Sequence, residues 1–349
     1  MSADMSTGTS ANRQLLWRAG LALVVAAAAG WQLAPWLLET PEVLALAGHI
    51  KDDGYFYSVL VDNRATYGFW TFDGEMSTNG FQPLWMVLLW ATRAVVPEGN
   101  SPESLDTLTL LCRLSWGCYL LFCVGAVLLV TRRATLWSGL ARVVLVGGLV
   151  LLNRRFQDAV VEGLEIPLVL ALLTATLLIA TRVVDRAAAN PARAWRGALT
   201  LGTLGALVFF GRTDLLWLTP ALGVWLWLRT GRRWAPLIAT GAMAAALVAP
   251  YLIWNLLDQG SVMPISGRVK LFLMRESLPT LDDWRASEEW RGMLSLFGVW
   301  LPKLDLWPKA LATFGLFLGA QAVAWSPWGR RELGGEVRVL AAVTLVHVL

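Results

Sequence analysis

The chain has 349 residues, of which 56% are hydrophobic and only 15% charged, with 20 tryptophans and a net charge of +4. Its apolar runs reach about 20 residues, the length that crosses a hydrocarbon core about 30 Å thick. That composition excludes a soluble domain, and the modest charge, scattered over short loops, excludes a nucleic-acid partner; an all-α polytopic membrane protein is expected.

The start, MSADMSTGTSANRQLLWRAG, is polar and carries Arg13 and Arg18 just before an apolar run at about 21–38. Its layout is that of a signal peptide. The long leader, the lack of a small-residue cleavage site and the many later spans favour a retained first helix. The arginines set the N-terminus in the cytoplasm, so residues 40–80 emerge outside. Trp17, Trp36, Trp85, Trp195, Trp234, Trp307 and Trp325 stand near the ends of apolar runs, where amphipathic rings anchor at the interface.

Residues 49–85 read HIKDDGYFYSVLVDNRATYGFWTFDGEMSTNGFQPLW. The aromatics after Asp52 and Asp53 suit a helix lying along the interface. Two roles are open to the acids: an N-cap for that helix, or chemistry. Tyr55, Phe56 and Tyr57 are read as interface anchors or as a stacking platform.

Apolar runs follow at 83–96 and 105–130. Cys112, Cys118 and Cys123 all fall within the second, where small hydrophobic packing is expected of them rather than a disulfide or a metal site. Basic clusters at 131–142, 181–196, 229–234 and 329–338 belong on the cytoplasmic side. The stretches 153–165, 211–214 and 258–270 then return to the outside. Parity requires that either 83–96 or 140–152 does not cross. The first, about 21 Å long as a helix, is the expected exception. Residues 258–303 read as a second outer loop with short interfacial helices, and a crossing is expected at about 306–325. The last apolar run, about 12 residues long, is too short to cross. No repeat or linker divides the chain, so a single transmembrane domain over 1–349 is expected.

Several polar residues on the outer side are candidates for function, each with a structural alternative. Glu162 and Glu165 precede an apolar helix, where acids favour the N-terminal dipole. Arg212 stands two residues from Asp214, either as a local ion pair or as a fork for a phosphate. Arg268 and Lys270 suit a phosphate or interfacial snorkelling. Asn79, Gln82 and Trp85 would shape a cavity floor. His49 is the only histidine near these residues, which sets aside a histidine-based metal cluster.

Four stretches in order, DDGYFYSVLVDNRATYGFWTFDGEMSTNGFQPLW, GLE at 163–165, GRTD at 211–214 and NLLDQGSVMPISGRVK at 255–270, resemble GT-C-type membrane glycosyltransferases. These polytopic enzymes use sugars carried on a polyprenyl phosphate, and arabinofuranosyl and mannosyl transferases are among the relatives. The likeness covers roughly residues 15–325 in architecture, while its specific motifs occupy about a quarter of the chain. It implies a GT-C-like helix bundle in a bacterial cytoplasmic (inner) membrane, with interfacial helices in the first outer loop (about 40–82) and an extracytoplasmic active site. The expected partners are a polyprenyl-phosphate sugar donor, membrane lipids and a cell-envelope glycan, lipid or protein acceptor. Relatives generally continue through further helices, so the family's C-terminal part is expected to be missing from this chain.

By the same resemblance Asp52 is the base, and Asp53 orients it, binds the acceptor or binds a metal. Arg212, Arg268 and Lys270 hold the donor phosphate, and Tyr55, Tyr57, Asn79, Gln82, Trp85, Glu165 and Asp214 line the cavity. A divalent cation on Asp52 and Asp53, magnesium or manganese, is an open expectation, since hard oxygen ligands suit it. The competing readings are a protein that binds or scaffolds a lipid-linked glycan without turning it over, and a transporter or flippase. A transporter would more often carry charges in broken helices at mid-membrane and show two related halves.

Overall fold

A computed structural model describes residues 5–40, 43–44, 50, 52–95, 103–132, 134–151, 160–262, 264–266 and 268–269. Helices dominate: α1 (Met5–Leu38), α2 (Asp52–Tyr67), α3 (Pro83–Val95), α4 (Glu103–Thr131), α5 (Leu136–Leu151), α6 (Ile166–Ala189), α7 (Ala194–Gly211), α8 (Leu218–Arg229) and α9 (Trp234–Gln259). Among the described residues there is no strand, only one antiparallel bridge between Thr71 and Ser77. Among the described residues five segments are long and apolar enough to cross a membrane: Gln14–Trp36, Thr107–Thr131, Ile166–Ala189, Pro191–Gly211 and Trp234–Gln259. The chain is thus a helical, multi-pass membrane protein by length and composition. The crossing expected near 306–325, the outer loop beyond residue 269 and the 153–159 stretch lie outside the described residues.

Of the two segments in the parity question, α3 has 13 residues and is about 20 Å long. α5 has 16 described residues and reaches about 24 Å. α3 is therefore the shorter, and it ends well short of the hydrocarbon thickness.

Contacts divide the chain into two compact units, Met1–Asp62 with Val87–Leu178, and Asn63–Met86 with Ile179–Leu349. In the first, α1, α4 and α5 pack through small side chains. Ala29, Leu33, Tyr119, Phe122, Cys123 and Ala126 form one buried cluster with Val160, and Ala22, Val127 and Val143 form another. Alanine on α1 lets the helices approach closely where lipid offers no hydrophobic drive to associate. Cys112, Cys118 and Cys123 are free and buried, as small packing residues.

In the second unit α7, α8 and α9 pack together with the same logic, α7 and α9 running parallel through the pairs Gly202–Thr240 and Phe209–Tyr251. A methyl group on Gly202 would come 2.5 Å from the Thr240 carbonyl oxygen on α9, and one on Gly223 of α8 would come 2.9 Å from Leu237. Ala206, Phe209 and Val248 are the buried centre, with Phe209, Phe210 and Tyr251 meeting edge to face. Inside α9 the Thr240 hydroxyl donates to the Pro236 carbonyl, which satisfies it where water is absent, and at the end of α8 Thr230 donates to Leu226. α8 closes with the Arg232 N–H on the Trp227 carbonyl at 2.8 Å and Gly231 at a φ of 73°, the Schellman arrangement.

The expected crossing after Gly211 is not one α-helix. A 3-10 turn over Thr213–Trp217 precedes α8, with Leu215 outside helical geometry. Pro220, in the first turn of α8, lacks the N–H that would bond to Leu216. α8 alone, with 12 residues, is about 18 Å long.

Candidate active site

The residues singled out from the sequence fall into two groups, one in each unit. In the first unit α2 begins at Asp52, so both acids stand in its first turn. Asp53 is exposed, and the Asp52 side chain lies outside the described residues, as do His49 and Lys270. The next turn of α2 faces inward. Gly54 is buried, and a methyl group there would come 2.6 Å from the Glu162 carbonyl oxygen. Only glycine lets α2 lie this close to the backbone before α6.

Tyr57, one turn on, is 8% exposed and donates its hydroxyl to the Glu165 carboxylate at 3.3 Å. Glu162 and Glu165 are both buried, at 7% and 8% exposure. Buried carboxylates are held by partners. Glu165 immediately precedes α6, and its own carbonyl accepts the Val169 N–H at 3.0 Å. Of the three aromatics, then, Tyr57 is a buried hydrogen-bonding partner, Tyr55 is half-buried and Phe56 is half exposed. Only Phe56 has the exposure of an interface anchor.

Farther along the same unit, Thr107 donates to Asp62 at 2.6 Å and accepts from the Arg93 Nε at 3.1 Å. Arg93 and Asp62 are 3.9 Å apart. This chain of three polar groups ties α2, α3 and α4 together. Sequence reasoning did not identify it, because the three residues stand far apart in the chain with no motif spacing.

In the second unit the loop after α2 is folded on itself. Asp73 Oδ1 accepts from the Thr71 hydroxyl at 2.9 Å and from the N–H groups of Glu75 and Met76 at 2.9 and 3.0 Å. Gly74, at a φ of 80°, donates to the Thr71 hydroxyl oxygen and lies against the Tyr67 ring. The Met76 and Glu75 amides, then the Thr71 hydroxyl, hold the Asp73 carboxyl down to about 2. Asn63 spans the loop's start, donating to the carbonyls of Thr71 and Phe72 at 3.0 Å each. The Thr71–Phe72–Asp73–Gly74 order is a turn signature in which the short side chains bond to nearby amides.

That loop reaches the two later motifs. Gln82 accepts the Thr213 N–H at 3.2 Å. Asn79, fully buried, accepts the Ile265 N–H at 2.9 Å, and Ser77 donates to Asp258 at 3.0 Å and bonds Gln259 at 2.8 Å. TNGFQ, GRTD and DQGSVMPISGR therefore meet. Asn79 and Gln82 act as braces that satisfy backbone amides, and Trp85 is wholly buried. The expectation for these three is a cavity floor; Asn79 and Gln82 in addition accept backbone N–H groups.

Arg212 and Asp214 form the local ion pair, with Nε 3.0 Å from both carboxylate oxygens. Both remain substantially exposed, 36% and 44%. Arg268 is exposed, and its guanidinium reaches the Gln259 carbonyl at 3.5 Å. Among the described residues no group of three His, Cys, Asp or Glu is placed to hold a metal; the side chain of Asp52, one of the two expected magnesium or manganese ligands, lies outside the described residues. No protein-family model, curated protein or solved structure matches the chain.

Proposed function

We propose that the protein is a GT-C-type glycosyltransferase that moves a sugar from a polyprenyl-phosphate donor to an acceptor hydroxyl on the extracytoplasmic face of a bacterial cytoplasmic membrane. One observation supports this most. Motif segments up to 186 residues apart meet within each unit, DDGYFY with GLE in one and TNGFQ with GRTD and DQGSVMPISGR in the other. Polar groups near a membrane are costly unless paired or useful, and here the pairing gathers the stretches that carry the family resemblance within each unit.

In this reading Asp52 takes the proton of the acceptor hydroxyl while that oxygen attacks the anomeric carbon. The bond from carbon to the phosphate oxygen breaks, and the lipid phosphate leaves with the electron pair, so the centre inverts. Arg212, Arg268 and Lys270 stabilise the leaving phosphate through charge-assisted hydrogen bonds to its oxygens. Asp53 orients the base or binds the acceptor. Tyr57 and Glu165 fix the pitch of the helix whose first turn carries both acids.

The test is donor binding and turnover by the full chain in native-like lipid, with a panel of radiolabelled polyprenyl-phosphate sugars. Asp52→Asn is expected to keep donor binding and to lose transfer by about 100-fold or more, the contribution of a positioned general base. Transfer that persists in the variant removes Asp52 as the base. Absence of binding to every such donor removes the reading.

A further inference from the structure

At the far end of α7 from Arg212, about 27 Å away along an 18-residue helix, a cleft of about 540 Å³ opens where α6 and α7 are joined. It belongs wholly to the second unit and shares no residue with the proposed active site. Asn190 and the 3-10 turn Pro191–Arg193 make the junction. Arg186, Asn190, Arg193 and Arg196 line it, with Val183 and Ala187 as an apolar wall. Its floor is tight, since a methyl group on Gly197 would come 2.8 Å from Val183.

The electrostatics of this cleft are one-sided. Arg186, Arg193 and Arg196 are all exposed, and none has a carboxylate within ion-pair distance among the described residues. The one acid near by in sequence, Asp185, is engaged by Arg229 at 3.5 Å. Three guanidiniums around one concavity repel each other, and an anion from outside relieves that repulsion. Planar forks of donors match phosphate oxygens in particular.

Tryptophans identify the source of the phosphate. The Arg196 guanidinium lies 5.4 Å over the ring of Trp195, which is 52% exposed. Trp227 and Trp234 pair at 5.2 Å beside the neighbouring turn of the bundle. Exposed tryptophan beside arginine is the composition of the headgroup layer. We infer that this cleft binds the phosphate of an anionic phospholipid, with the first methylenes of its chains against Val183 and Ala187.

The full chain in nanodiscs of phosphatidylcholine containing a titrated fraction of phosphatidylglycerol tests this, with native mass spectrometry counting the phosphatidylglycerol retained after release. Arg186→Gln with Arg193→Gln is compared with the charge-matched pair Arg232→Gln with Arg233→Gln, which lies outside the cleft. The cleft pair is expected to weaken retention about 30-fold and the control pair to leave it within about threefold, from the typical effect of two surface cations. Arg186→Lys with Arg193→Lys guards against misfolding, since it keeps the charge and is expected to retain part of the binding. Equal loss in the two glutamine pairs overturns the site in favour of a diffuse field. Inorganic pyrophosphate that binds the wild type and fails to bind the cleft pair, with no selective retention of lipid, overturns the lipid as occupant.

Discussion

Asp73 shows how one exposed carboxylate organises a loop. Its oxygen satisfies two amides and a hydroxyl at once, and because those donors favour the charged form its folded pKa lies below its ordinary value. A depressed carboxylate contributes stability that is present above the unfolded value near 3.8 and is lost as pH falls towards about 2. Limited proteolysis of the 69–81 loop should therefore show protection at pH 5 that fades below about pH 4, whereas Asp73→Ala should be cut readily even at neutral pH. A loop equally protected in wild type and variant would remove the clamp. Tyr57 makes a second residue-scale prediction. Tyr57→Phe leaves the buried Glu165 short of one donor, which typically costs about 1–3 kcal/mol. The melting temperature in a fixed detergent should drop accordingly, and an unchanged value would mean that Glu165 does not depend on this bond.

At the scale of the element, helix contacts are set by glycines whose roles differ although their spacing looks alike. Gly202 sits against α9 with no room for a methyl group, whereas Gly241 on α9 has nothing within 4 Å. Gly202→Ala should cost about 1–3 kcal/mol through overpacking. Gly241→Ala should be neutral or gain about 0.5–1 kcal/mol from helix propensity. Thermal unfolding of the two variants side by side decides whether packing or propensity governs. The long spans were legible in the sequence because a run of apolar residues has few other fates. The break before α8 was not, since Leu215–Leu218 continues the apolar outline of a helix and only Pro220 hints that its hydrogen bonds are interrupted. Likewise the acids and Arg212 stand out by their chemistry and the TNGFQ stretch by its resemblance to the family motif, but the Asp62–Thr107–Arg93 chain was invisible, because no short-range spacing encodes a contact among three helices.

For the whole molecule, the sidedness read from basic clusters makes a direct prediction. The 3-10 turn at 191–193 should be cytoplasmic and the 69–81 loop extracytoplasmic. Ala192→Cys should resist a membrane-impermeant maleimide on intact cells, and Glu75→Cys should react; both residues are exposed. Background labelling should be low, because the three native cysteines are buried. Labelling at 192 with protection at 75 would invert the assigned orientation and with it the side on which donor is met.

The bond from Thr213 to Gln82 also carries a schedule. Its acceptor is synthesised 131 residues before its donor, an interval of roughly 7–26 s at typical ribosomal rates of about 5–20 residues per second. During that time the glutamine exists and the amide it will satisfy does not. The break before α8, once made, finds an acceptor for its Thr213 amide on a loop synthesised earlier. Assembly of this end of the protein is thereby ordered in time, with the early loop serving as the template on which the later helices are registered.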